Sequence, residues 1–160
     1  MNLGDIIGRR GESIFTVLIT RWCGGRAWFT DTFLGDKHQT TDFLVELIEP
    51  TTGHAHFYVQ VKSTRGRYSG EGAGRKLDVG VSAEDVERLK QIHAPTYVVG
   101  IDVEIVRGYI IAITQESSGV ISGIPVRHPL NCRTLKALWK EVDEYWKARS
   151  VLAQRSKFSP

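Results

Sequence analysis

Two apolar runs joined by a turn, with an acid opening the first and a lysine closing the second, constrain this chain more than any other feature. They lie between Thr40 and Thr64, in TTDFLVELIEPTTGHAHFYVQVKST. Phe43-Leu44-Val45 with Leu47-Ile48, and then Phe57-Tyr58-Val59, read as two mostly buried strands. Pro50-Thr51-Thr52-Gly53 supplies turn chemistry between them. Asp42 opens the first strand, and Gln60-Val61-Lys62 ends the second. Burying a charge is costly unless it is paired or holds a metal. An aspartate and a lysine at neighbouring strand ends therefore mark a candidate site, with a plain hairpin salt bridge as the alternative.

The flanking segments extend this hairpin into an α/β pattern. Apolar residues at three- and four-residue spacing predict a helix over 5–22, from Ile7 through Gly11, Ile14, Phe15 and Leu18 to Trp22, with Gly24-Gly25 as its stop. Glu12 sits mid-helix; it either pairs with Arg9 or Arg10 or faces the hairpin as a carboxylate. Residues 27–34 read as a first strand. Ser82 offers an N-cap, with Glu84 and Asp85 in the first turn of a helix closed by Pro95. Two Val/Ile-rich strands follow over 96–103 and 108–114, then a Gly/Pro-bearing loop over 115–130. A last helix over 134–149 carries a wide apolar face of Leu135, Leu138, Trp139, Val142, Tyr145 and Trp146. The order is helix, three strands, helix, two strands, helix. Three consecutive strands before a crossover helix imply a mixed central sheet flanked by helices. The 160 residues suit one domain over 1–150, followed by a basic, flexible tail over 151–160.

Charge is uneven although the net is only +3. Between Lys62 and Lys76, five basic residues (Lys62, Arg65, Arg67, Arg75, Lys76) face a single acid, Glu71. This segment also carries four glycines, Gly66, Gly70, Gly72 and Gly74, and reads as a mobile loop with Arg65, Arg67, Arg75 and Lys76 as candidate phosphate contacts. It contains no GxxxxGK[ST], so it is not a P-loop. Such patches suit a polyanion such as nucleic acid. No apolar run approaches a membrane span, and the N-terminus lacks a signal-peptide core, which predicts a cytoplasmic protein with no membrane partner. Cys23 and Cys132 stand alone and are expected to be reduced. His54 and His56 could face one side of their turn, but no third ligand lies near them in sequence.

The helix glutamate, the strand-start aspartate and a following strand ending in Gln-x-Lys together resemble the PD-(D/E)xK nuclease superfamily. IIGRRGESIF, TDFLVE, VQVKST and APTYVVGID, spread over about residues 6–114, are similar to the DUF4365 family of bacterial and phage predicted nucleases within it. The resemblance implies a restriction-endonuclease-like αβββαβ core. It implies that Asp42 and Glu12 hold Mg²⁺ or Mn²⁺, that Gln60 and the Val61 carbonyl complete the metal site, and that Lys62 serves the attacking water or the transition state. Two departures stand out. Thr41 replaces the proline before Asp42, and neutral Gln60 replaces the usual acid, leaving the site one negative charge short. Glu46, a reserve carboxylate, lies roughly 13 Å along an extended strand from Asp42.

The expected activity is thus metal-dependent phosphodiester hydrolysis, most simply of DNA, with Asp42, Gln60, Lys62 and Glu12 as the catalytic set. The resemblance also implies a homodimer, for which the last helix offers a surface, and a role in prokaryotic defence or DNA processing alongside a possible accessory defence protein. Two alternatives remain open: a nucleic-acid-binding module of the same fold with too weak a site for catalysis, and a protein-interaction domain docking through the last helix.

Overall fold

A computed structural model describes residues 1–149 and 156–158. In chain order the elements are α1 (Leu3–Ile19), β1 (Trp22–Cys23), β2 (Arg26–Ala27), β3 (Phe29–Phe33), β4 (Phe43–Leu47), β5 (His56–Thr64), β6 (Tyr68–Ser69), β7 (Lys76–Leu77), α2 (Ala83–Lys90), β8 (Thr96–Asp102), β9 (Arg107–Ile113), β10 (Ile124–Pro125) and α3 (Cys132–Arg149). The protein is a mixed α/β structure. Its central sheet has five strands in the order β3-β4-β5-β8-β9, antiparallel except for the parallel β5–β8 pair. A small sheet, β10-β7-β6, and the β1-β2 hairpin complete it.

The sheet separates two apolar cores. Phe43, Val45 and Leu47 of β4 and Phe57 and Val59 of β5 project to one face, where they meet Phe15 and Leu18 of α1 and Leu135 and Val142 of α3. Phe15 and Phe43 pack edge to face at 4.8 Å, an arrangement that favours aromatic pairs beyond their buried area. Val98, on the other face, joins Leu77 of β7, Val86 and Leu89 of α2 and Ile124 of β10. Period-two alternation does this sorting in β8, where Tyr97, Val99 and Ile101 join the first core and Val98 the second.

Local chemistry sets the helix ends. Asn2 caps α1: its side chain accepts from Asp5 N at 2.9 Å, and the Asp5 carboxylate accepts from Asn2 N at 3.2 Å. The helix ends at Ile19, three residues before the expected end. The chain from Trp22 to Ala27 instead forms the β1-β2 hairpin, turned by Gly24 and Gly25 at positive φ. Trp22, expected on the apolar stripe, is 74% exposed on this hairpin. Ser82 caps α2 through Asp85 N, as its position predicts.

Two further expectations are corrected. Cys23 and Cys132 are joined in a disulfide between residues 109 apart, rather than reduced. Neither has a spacing signal; the hairpin after α1 and the start of α3 bring them together. Closing so long a loop contributes about 2–5 kcal/mol of stability, and an oxidised pair sits less easily with the reducing cytosol expected from sequence. The segment 65–76 is folded rather than loose. Tyr68 OH donates to Asp102 Oδ2 at 2.8 Å, Gly66 N donates to Asp102 Oδ1 at 3.0 Å, and Ser69 Oγ donates to Asp78 Oδ1 at 2.6 Å. α3 packs on its own chain through the face that the sequence reads as apolar. Its Asp143 carboxylate accepts from Thr51 N and Thr51 Oγ1, while Trp139 and Trp146 donate to the Ile48 and His56 carbonyls. The tail over 151–160 lies outside the described residues apart from 156–158. No helix among the described residues is long and apolar enough to cross a membrane.

Candidate metal and phosphodiester site

The site forms where β5 outruns β4. The antiparallel register pairs Phe43 with Val59, and Asp42 N donates to Val59 O at 2.9 Å just past the end of β4. Beyond that point β5 has no β4 partner for its backbone. The Asp42 carboxylate takes the place of one: its Oδ2 accepts from Val61 N at 2.7 Å. Asp42, Gln60 and Lys62 share the face opposite Phe43, Val59 and Val61. The cross-strand register therefore places the predicted aspartate beside the Gln-x-Lys strand.

Glu12 arrives from the other side. α1 lies on the Val59/Val61 face, seated closely because Gly11 leaves room: a Cβ there would fall 1.7 Å from Ser63 Oγ and 2.7 Å from Ser63 Cβ. Glu12, the next residue, comes within electrostatic reach of Asp42. It lines a cleft of about 630 Å³ together with Val61, Lys62, Ser63, Arg65 and Arg67. Its carboxyl is pushed above the usual range by burial first and then by Asp42, with Asp36 adding to the rise and Arg9 opposing it. Asp42 is also raised, by burial above all; the Val61 N–H and Lys62 pull it down, and Asp85 pushes it up. Glu12 and Asp42, each raised by burial first and then by a neighbouring acid, sit in a field that a cation would relieve.

Gln60 is 5% exposed. Its Nε2 donates to Asp85 Oδ2 at 3.4 Å, and its Oε1 is buried without a partner. An orphaned buried acceptor costs about 1–3 kcal/mol, so this oxygen fits the ligand role that the sequence assigns it. Among the described residues, no three His, Cys, Asp or Glu side chains cluster closely enough to hold a metal by themselves. A site here has to use amide and peptide oxygens beside its two carboxylates, a donor set that suits Mg²⁺, which keeps several of its waters.

The basic residues divide. Arg65 and Arg67 line the cleft, although Arg65 is paired with Glu104 at 3.2 Å. Arg75 lies over the Tyr68 ring at 4.4 Å, and Lys76 is an exposed residue of β7; neither lines the cleft. Glu46 pairs with His56 at the far end of the hairpin, away from the site. Sequence reasoning missed Asp36 and Asp85 as neighbours of the site. Asp85 had a signal only as a first-turn acid on α2, which explains itself without any ligand.

No family model, curated protein or solved structure matches this chain. The reading of the site rests on its own residues.

Proposed function

We propose that this protein is a metal-dependent nuclease built on a restriction-endonuclease-like core and acting on DNA. The observation that carries this reading is that Asp42, Gln60 and Lys62 share one face where β5 outruns β4, while Glu12, within electrostatic reach of Asp42, lines with Lys62, Arg65 and Arg67 the cleft beside it. Asp42, Glu12, Gln60 Oε1 and the Val61 carbonyl would hold Mg²⁺ or Mn²⁺. A divalent ion bound there supplies charge neutralisation at the scissile phosphate and a more acidic water.

The chain's own groups do the rest. Lys62, on the Asp42 face of β5, orients the attacking water and donates to the negative charge that develops on the phosphoryl oxygens. The Arg67 guanidinium, with no ion pair or hydrogen bond among the described residues, grips the strand backbone at the cleft wall, and Arg65 joins it once freed from Glu104. These contacts position the nucleic acid without reading its sequence. A defence or DNA-processing role, a homodimer that cuts two strands, and an accessory partner belong to the same reading.

Nicking of supercoiled plasmid in Mg²⁺ or Mn²⁺ tests it. The wild type is expected to nick, and Asp42→Asn and Lys62→Ala each to lose about a hundredfold or more. A second reading, binding without cutting, draws on the absence of a three-acid cluster among the described residues. It predicts no metal-dependent product but salt-sensitive retention of DNA.

A further inference from the structure

Gln60 and Asp85 are joined by a contact that the proposed mechanism does not yet use. Gln60 lies on β5 at the centre of the sheet, and Asp85 lies in the first turn of α2, packed against the same face. An ionised carboxylate only accepts hydrogen bonds, so the Gln60 amide has to turn its nitrogen towards Asp85. The carbonyl oxygen is then left on the other side of the amide, buried and unpartnered. Arg88 occupies the second Asp85 oxygen, Oδ1, at 3.2 Å, and so leaves Oδ2 to Gln60. The Asp85 backbone is fixed separately, through its N–H to Ser82 Oγ at 3.1 Å. Capping of the helix therefore does not need the Asp85 side chain.

We infer that Asp85 is a positioning residue of the candidate site: it locks the Gln60 amide with its oxygen presented to a divalent cation, and it restores from α2 the negative charge that a glutamine in β5 lacks. This inference rests on the metal reading of the site. It accounts for a neutral residue at position 60 in a site that otherwise needs anionic character. It also explains why a buried amide oxygen is left unpaired while the amide nitrogen is held. An asparagine at 85 would offer the Gln60 amide both a donor and an acceptor, and the amide could then turn either way.

The test is Mn²⁺ binding by the full chain, followed by titration calorimetry and by the electron paramagnetic resonance of free Mn²⁺. The variants are Asp85→Asn, the exchange Gln60→Glu/Asp85→Asn, and Asp42→Ala, with circular dichroism melts in chelator to establish that each folds. Asp85→Asn is expected to weaken Mn²⁺ binding about tenfold to a hundredfold, the usual cost of losing a group that orients a ligand. The exchange keeps a carboxylate–amide hydrogen bond with its partners reversed and is expected to regain most of the lost affinity. A role of Asp85 confined to α2 stability would lower the melting temperature without this recovery. If Asp85→Asn binds Mn²⁺ as tightly as the wild type while Asp42→Ala does not, the inference is overturned and the metal site stands. If the exchange variant binds no better than Asp85→Asn, the inference is likewise overturned. If the wild type binds no Mn²⁺, the metal reading fails and the inference goes with it.

Discussion

The two faces of the β4–β5 hairpin are made from the same two strands and do opposite things. On one face, Phe43, Val45, Leu47, Phe57 and Val59 are all buried among the aromatic and aliphatic side chains of α1 and α3. On the other, residues one step along the chain put Asp42, Gln60 and Lys62 beside one another and bring them towards Asp85 of α2. The first face lowers the free energy of folding by removing apolar area from water. The second holds a raised carboxyl and an amide oxygen without a partner, neither of which lowers the free energy of folding. Stability and candidate chemistry are thus separated by a single residue of register. What joins them is α1, which packs on the apolar face and brings Glu12 within electrostatic reach of Asp42.

The sharpest way to break this division is to empty the apolar face. Phe57→Ala removes a fully buried ring that meets Phe29 and Tyr97 edge to face. It is expected to cost about 3–5 kcal/mol in denaturant unfolding. Where the variant remains folded, its affinity for Mn²⁺ should hold; a specific loss of metal binding in folded protein would show that the faces are not independent.

Gly11→Ala probes the element that spans both. Its new Cβ collides with Ser63, so α1 has to move off β5, at about 1–3 kcal/mol despite the gain in helix propensity. Unlike Phe57→Ala, it should lower stability and nicking together, because the displaced helix carries Glu12. Ser63→Ala should not rescue it, since Ser63 Cβ itself lies 2.7 Å from the added atom.

The smallest effect on the fold is expected from the polar face. Asp42→Asn can still accept from Val61 N while removing a half-buried charge that Asp85 and Glu12 repel. Its melting temperature in chelator should equal or exceed that of the wild type, although the plasmid assay described above should find it inactive. A marked drop would mean that the carboxylate is a structural hydrogen-bond partner and little else.

Much of this was legible in the residues. The apolar alternation of β4 and β5, the Ser82 cap and the apolar face of α3 follow from local periodicity and capping, which need no knowledge of distant segments. The association of Asp42 with the Gln-x-Lys strand was legible too, because a hairpin fixes its own register. The disulfide was not: no spacing rule links residues 109 apart. Nor was the ordering of 65–76, which depends on Asp102, a buried residue at the end of β8 that accepts from both Tyr68 and Gly66.

The amino-acid order by itself determined which side of each strand is apolar and which carries the acid, the amide and the lysine, because side chains on a strand alternate whatever surrounds them. Only the tertiary structure decided which remote groups reach the polar side. Glu12 comes within range because Gly11 lets a helix sit close to Ser63, and Asp85 comes within range because α2 closes over the same face. Those approaches are set by the packing of whole elements against one another, and no local pattern encodes them.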